Sequence, residues 1–353
     1  MRAGLLAAVA VALSVLVATP APAQSPAGDG APHARASAGP GAVLLPHERS
    51  GAEIYAEFRA GLAEPACPAG SASPRWSRHF SAAAVRLSEK DETLALFGYV
   101  VDALRASDLP TEYALIPFVE SGYKPGARSQ LGPAGLWQFI TMTARNHDVP
   151  VRDGFDGRLS PVESTRAAVR YLKTLHGMFA GDWRLAAMAY NAGEYRLFGA
   201  LRRSGQVARS ADHEKLVGLS GITRAYPRKI HAISCLLQQA DDDPEWLASL
   251  DRPVSRLVAV ALPTDARDLD RWARDQGLDP ARVRRLNPAY RNGRVVRRGS
   301  EPMQVLAPAT PAVEAVETVT VADATAMAPD PAVATQGEVT TAVEARPDPT
   351  LPD

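Results

Sequence analysis

The sequence predicts a mainly α-helical protein with a small α+β module near its C-terminus. Three observations carry that reading. Leu94, Phe97, Val101 and Leu104 recur at helical spacing, and no segment between about residues 81 and 240 alternates as a half-buried strand does. Ser160-Pro161-Val162-Glu163 combines an N-cap serine, proline at the first helical position and a glutamate three residues past the cap. After Asp243-Pro244 the pattern changes. Short apolar runs, Leu257 to Leu262 and Met303 to Leu306, flank two helix-like pieces.

The chain begins with a targeting pattern. Arg2 precedes a short apolar run from Leu5 to Val17, and Ala21-Pro22-Ala23 forms an A-x-A cleavage site. Residues 1–23 therefore read as a signal peptide. The run falls short of the ~20 residues that span a bilayer, so no stable membrane anchor is expected. Residues 24–50 are rich in Ala, Pro, Gly and Ser without periodicity and read as a disordered leader. The 353 residues carry 39 basic and 39 acidic side chains, a balance that gives no global attraction to nucleic acid. The two cysteines are Cys67, in a loop, and Cys235, on a helix. Export would permit a disulfide, but their separation in space is not legible, and they read as unpaired thiols.

The elements then follow in order. Ser50 to Ala63 has helical spacing through Ile54, Phe58 and Leu62, and Pro65 to Pro74 breaks it. Ser88 to Arg105 reads as an amphipathic helix capped by Ser88 with Asp91. A second helix runs from Thr111 toward Glu120, with Pro117 expected to bend it. Leu136 to Asn146 reads as the next helix, and the Ser160 cap opens one that reaches Phe179. Asp182 caps a segment ending in the corner Asn191-Ala192-Gly193. A further helix ends near Gly205, and Ser220 to Gln239 is the last long one, with Pro227 near its first turn. Leu269 to Gln276 and Pro280 to Leu286 are the helical pieces of the small module. Pro308 to Asp353, rich in Pro, Ala, Thr and Val, reads as a disordered tail.

Glu120 is the residue most in need of explanation. It ends the apolar run Ile116-Pro117-Phe118-Val119. Such surroundings disfavour the charged form of a carboxyl group, and a carboxyl held protonated is a general acid. Taken alone, Val-Glu-Ser is more often a solvated or ion-paired helix end. The order of the surrounding motifs reverses those odds. Glu120-Ser121, Ser129, Gly135-Leu136-Trp137-Gln138 and Ala189-Tyr190-Asn191-Ala192-Gly193, followed by Tyr226 in the last long helix, resemble the lytic transglycosylase family with the goose-type lysozyme fold. Ile116-Pro117 ahead of Glu120-Ser121, with Gly181-Asp182-Trp183, narrows the likeness to a membrane-bound branch of that family.

The resemblance implies a lysozyme-like all-α domain over residues 51–243 that acts on peptidoglycan glycan strands in the periplasm. It implies cleavage of the β-1,4 bond between N-acetylmuramic acid and N-acetylglucosamine. Glu120 would protonate the leaving oxygen and then, as base, activate the muramoyl C6 hydroxyl to attack C1. The product is a 1,6-anhydro sugar. Ordinary glycosidases use two carboxylates. Here no second acid stands in a comparable motif, and Glu194 reads as a first-turn helix acid. Ser121, Ser129, Gln138, Tyr190, Asn191 and Tyr226 become the expected substrate-binding set, with Tyr226 also orienting Glu120. Their bland alternatives are packing for Tyr190 and capping for Asn191. Trp137 suits core and groove wall equally.

Residues 254–308 are similar to a degenerate LysM glycan-binding module. Trp272-Ala273, Gly277-Leu278, Val283-x-x-Leu286-Asn287-Pro288 and Val305-Leu306-x-Pro308 carry that likeness, while the usual opening Gly-Asp-Thr-Leu is missing. Residues 309–353 form the expected tail. No cofactor is implied. His147 and His176 are too isolated for a metal site, and the basic cluster Arg294 to Arg298 reads as a solvated face. Two other functions share these motifs: a hydrolytic muramidase on the same fold, and a peptidoglycan-binding protein without activity.

Overall fold

The computed structural model describes residues 44–299, 302–311 and 313. The expected signal peptide, residues 24–43 of the expected leader, and nearly all of the expected tail lie outside the described residues. The chain opens with strand β1 (Glu48–Ser50) and helix α1 (Gly51–Ala60). The leader was expected to run to residue 50, but β1 pairs antiparallel with Pro253–Ser255. Ser50 itself is the N-cap of α1, in a capping box with Glu53.

Helices α2 (Pro74–His79), α3 (Ala82–Glu89) and α4 (Asp91–Arg105) follow. The expected Ser88 cap is not there. Ser88 lies inside α3 and its hydroxyl donates to the Val85 carbonyl at 3.1 Å. The chain turns at Lys90, so two helices stand where the periodicity suggested one start. Thr111–Leu115 is a 3-10 helix that passes into α5 (Ile116–Glu120). Pro117 sits in the first turn of α5, where its missing N–H has no intrahelical partner to lose. It marks the change from 3-10 to α geometry rather than a bend in one long helix.

The expected helix from Leu136 is shorter. Residues 135–138 are a turn closed by a bridge between Ala134 and Phe139, and α6 covers Thr141–Asn146. Gly135 at φ +83° and Gln138 at φ +51° are left-handed, and a helix cannot pass through them. A two-residue hairpin follows, β2 (Val151–Arg152) with β3 (Phe155–Asp156), in a region that showed no alternation because it is too short to show any. Helices α7 (Pro161–Met178), α8 (Trp183–Ala192), α9 (Glu194–Arg203) and α10 (Gly221–Gln239) start and stop close to where the sequence placed them. Ser160, Asp182 and Ser220 each accept a backbone N–H as N-caps. Pro227 lies further inside its helix than expected, in the second turn of α10.

The core of this helical body contains Phe58, Phe97, Val101, Tyr113, Leu115, Trp137, Leu172, Leu185 and Tyr226, all 2% exposed or less. Each such Leu or Phe contributes roughly 1.5–3 kcal/mol on burial. Helix α11 (Pro244–Leu250) and strand β4 (Pro253–Ser255) lead out of it. Strand β5 (Leu257–Ala261), helices α12 (Leu269–Asp275) and α13 (Pro280–Leu286), and strand β6 (Gln304–Pro308) form a β-α-α-β unit with β5 and β6 antiparallel. It packs onto the helical body. Leu286 and Leu306 enter the main core, while Phe155 and Leu159 enter the unit's own core beside Tyr290.

One expectation is overturned outright. Cys67 and Cys235 form a disulfide, with Cα atoms 5.4 Å apart. The segment after α1 returns across α10 and meets Cys235 there, a contact hidden by a sequence separation of 168 residues. No helix among the described residues is long and apolar enough to cross a membrane.

Candidate active site

Glu120 is the last residue of α5 and is half-buried. Tyr226, 2% exposed on α10, donates its hydroxyl to Glu120 Oε1 at 2.7 Å. The first and last motifs therefore meet directly. The tyrosine is held by the core along its ring, so its hydroxyl anchors one oxygen of the carboxyl group.

The loop after Glu120 is built from side-chain bonds to its own backbone. Ser121 Oγ lies 2.8 Å from the Leu136 carbonyl, to which it donates, and accepts from the Lys124 N–H at 3.3 Å. Tyr190 Oη donates to the Trp137 carbonyl at 2.8 Å. Gln138 Nε2 donates to the Gly135 carbonyl at 2.8 Å and the Ala127 carbonyl at 3.3 Å. Ser121, Gln138 and Tyr190, from three separate motifs, thus converge on the backbone of residues 135–137. Ser129 stays apart from them. Its hydroxyl accepts from Leu131 N–H at 3.3 Å inside the 129–133 turn.

Gly135 explains why this turn can lie where it does. A Cβ there would stand 1.6 Å from the Arg158 carbonyl oxygen, and the φ of +83° is left-handed besides. Trp137 is wholly buried and donates Nε1 to Thr165 Oγ1 at 2.9 Å, so it belongs to the core and not to a groove wall.

Asn191 stands near the end of α8, just before Gly193 at φ +89°. Its Oδ1 accepts from Thr223 Oγ1 at 3.1 Å. Thr223 lies one turn before Tyr226 on α10 and also contacts the cap residue Ser220 at 2.9 Å. Helix α10 therefore holds the third motif through Thr223 and Glu120 through Tyr226. Glu194 opens α9 as expected, and Tyr171 Oη donates to its Oε2 at 3.0 Å.

Three residues that support the site were not singled out in the sequence. Thr223 shares a helical face with Ser220 and Tyr226, and that spacing was a readable signal. Arg158 and Asp156 had none. Arg158, 7% exposed, makes paired bonds to the Asp156 carboxylate at 2.9 Å each and also donates to the Gly132 carbonyl at 2.8 Å. It ties the loop after Glu120 to the β2–β3 hairpin.

Comparison with known proteins points the same way. Residues 102–213 match the family model described as the transglycosylase SLT domain. Membrane-bound lytic murein transglycosylase D of Escherichia coli (strain K12) is 29% identical over 210 residues, which are 60% of this chain and 45% of that protein. A putative tributyltin chloride resistance protein of Alteromonas sp. (strain M-1) is 38% identical over 103 residues, 29% of this chain and 50% of that protein. Peptidoglycan transglycosylase gp16 of Escherichia phage T7 is 43% identical over 83 residues, 23% of this chain and 6% of that protein. The chain thus spans half or less of the length of these relatives.

Proposed function

We propose that this chain, which carries an SLT transglycosylase domain over residues 102–213, is a peptidoglycan lytic transglycosylase. One observation carries the reading: the Tyr226 hydroxyl donates to Glu120 at 2.7 Å. A carboxyl group anchored at one oxygen can serve first as acid and then as base through the other without changing place. Glu120 donates its proton to the glycosidic oxygen between N-acetylmuramic acid and N-acetylglucosamine. It then takes the proton of the muramoyl C6 hydroxyl as that oxygen closes on C1. The glycosidic bond breaks, a 1,6-anhydro ring forms, and no water is consumed.

The remaining residues divide by their bonds. Asn191, held by Thr223, is positioned as a neutral partner for sugar hydroxyl or N-acetyl groups, and Ser129 borders the same loop. Ser121, Gln138 and Tyr190 shape the groove by fixing the backbone of residues 135–137. Glu194, bonded to Tyr171, is a poor candidate for the second carboxylate of a hydrolase. The β-α-α-β unit supports reading residues 254–308 as a degenerate LysM-like module. Residues 1–23 support export to the periplasm.

The test is mass spectrometry of the products released from purified sacculi. The expected product is an anhydromuramoyl end, lost by roughly a thousandfold in Glu120→Gln. New reducing ends would assign hydrolysis instead. Release of nothing by the wild-type protein would leave a binding role.

A further inference from the structure

We propose a second site, away from Glu120, in which Cys67, Cys235 and His231 bind a zinc ion when the disulfide is reduced. The proposal rests on how their ligand atoms are already arranged, and it is independent of the transglycosylase reading. His231 and Cys235 are four residues apart on α10 and so lie on one helical face. His231 Nε2 is 3.5 Å from Cys235 Sγ. The three ligand atoms lie within 4.8 Å of one another.

Ser71 supplies the second observation. Its Oγ is 3.1 Å from His231 Nε2, 3.5 Å from Cys67 Sγ and 3.9 Å from Cys235 Sγ. Tetrahedral zinc, with bonds of about 2.3 Å to sulfur and about 2.0–2.1 Å to nitrogen or oxygen, sets its ligands about 3.3–3.8 Å apart. Those spacings from Ser71 and His231 are close to the edges of such a tetrahedron. The sulfur pair is far too close, because it is covalently bonded, and the Cys67–His231 edge, within 4.8 Å, has to adjust as the freed sulfurs part. A carboxylate stands near the outer nitrogen of the histidine, at ion-pair and not hydrogen-bond distance. His231 Nδ1 is 3.9 Å from Glu64 Oε2, and Glu64 is itself ion-paired with Arg184. A carboxylate behind a ligating histidine orients the ring and raises its basicity.

The chemistry is a two-electron exchange followed by metal binding. A small dithiol reductant gives two electrons and two protons to the Cys67–Cys235 bond, which becomes two thiols while the reductant closes to its own disulfide. Zinc then displaces the two thiol protons and takes both sulfurs, with His231 Nε2 as third ligand and the Ser71 hydroxyl or water as fourth. The metal keeps the 61–73 segment fastened to α10 after the covalent bond is gone.

Equilibrium dialysis of the full chain against zinc, with cobalt(II) absorbance as reporter, tests this. The reduced protein is expected to take up one zinc per chain and to show thiolate-to-cobalt charge transfer, while the oxidised protein does neither. Cys67→Ser should abolish the charge-transfer signature of a two-thiolate site, and His231→Gln should weaken binding at least tenfold. His231→Gln retains the disulfide, so its melting curve in the oxidised state verifies the fold. Equal zinc uptake by oxidised and reduced protein would overturn the site, as would undiminished affinity in His231→Gln.

Discussion

Tyr226 reaches Glu120 from an otherwise buried position, so its ring and its hydroxyl do different work. The ring fills the core and the hydroxyl holds the carboxyl group. Tyr226→Phe separates the two. Hydrogen bonds to charged groups contribute about 1.5–3 kcal/mol, so activity on sacculi should fall roughly ten- to hundredfold. The melting temperature should change little, since the packed ring remains. A variant that melts early and loses activity in proportion would mean that the hydroxyl only supports the fold. Glu120 and Tyr226 were legible in the sequence because each sits in a short motif, and the order of the motifs survives folding. Thr223 was legible in principle, from its place on the face that carries Ser220 and Tyr226. Arg158 and Asp156 were not. Their importance arises from burial against a loop that precedes them by some two dozen residues, and local sequence carries no mark of that.

Among the elements, the turn between Ser129 and Phe139 depends most on its neighbours. Its own backbone bonds, such as Ser129 N–H to the Pro133 carbonyl at 2.9 Å and Ala134 N–H to the Phe139 carbonyl at 3.1 Å, are joined by side-chain bonds from Ser121, Gln138, Tyr190 and Arg158. Arg158→Met removes the cation from a pair whose side chains are 8% and 16% exposed. Among the described residues, the Asp156 charge then keeps only the exposed Arg128 at 3.4 Å and the backbone N–H of residue 158, at a cost of about 1–3 kcal/mol. Chemical denaturation should show that loss, and an Asp156→Asn/Arg158→Met double variant should recover part of it. The helix starts at Ser160, Asp182 and Ser220 were readable because each cap acts through groups two or three residues away, whereas the expected cap at Ser88 does not form. The turn was misread as helix because Leu136, Trp137 and Phe139 are apolar for a reason other than helical packing. They pack into the main core from a turn whose backbone is left-handed at Gly135 and Gln138.

At the scale of the whole molecule, the disulfide joins residues 168 positions apart. Chain entropy alone gives such a link about 5 kcal/mol. In metal-free buffer, Cys67→Ala/Cys235→Ala should therefore lower the melting temperature by about 10–20 °C, read by circular dichroism. Acid sensitivity is also a property of the whole. His147 and His176 are both pushed below the ordinary imidazole range by burial, His147 also by the Arg170 charge. The unfolded chain therefore takes up protons first as the pH falls. The stability held by these neutral rings is complete above their unfolded value of about 6.5 and is lost as the pH drops through the depressed folded values. Urea midpoints should decline from about pH 7.5 to pH 5, and a His147→Gln/His176→Gln variant should show a shallower decline.

The short ladder between β1 and β4 has a mechanical consequence. Its pairs are Glu48 with Ser255, Arg49 with Val254, and Ser50 with Pro253. The chain enters the helical body and passes on to β5 at one point, and Glu48 with Ser255 is the outermost pair. Tension between the segment before Glu48 and the segment after Ser255 loads the pairs singly, as in a zip. Once Ser50 and Pro253 part, the load passes to the start of α1, where the Gly51 N–H donates to the Arg252 carbonyl and Ser50 Oγ donates to Asp251, so the clasp and the first turn of α1 are what such a pull opens first.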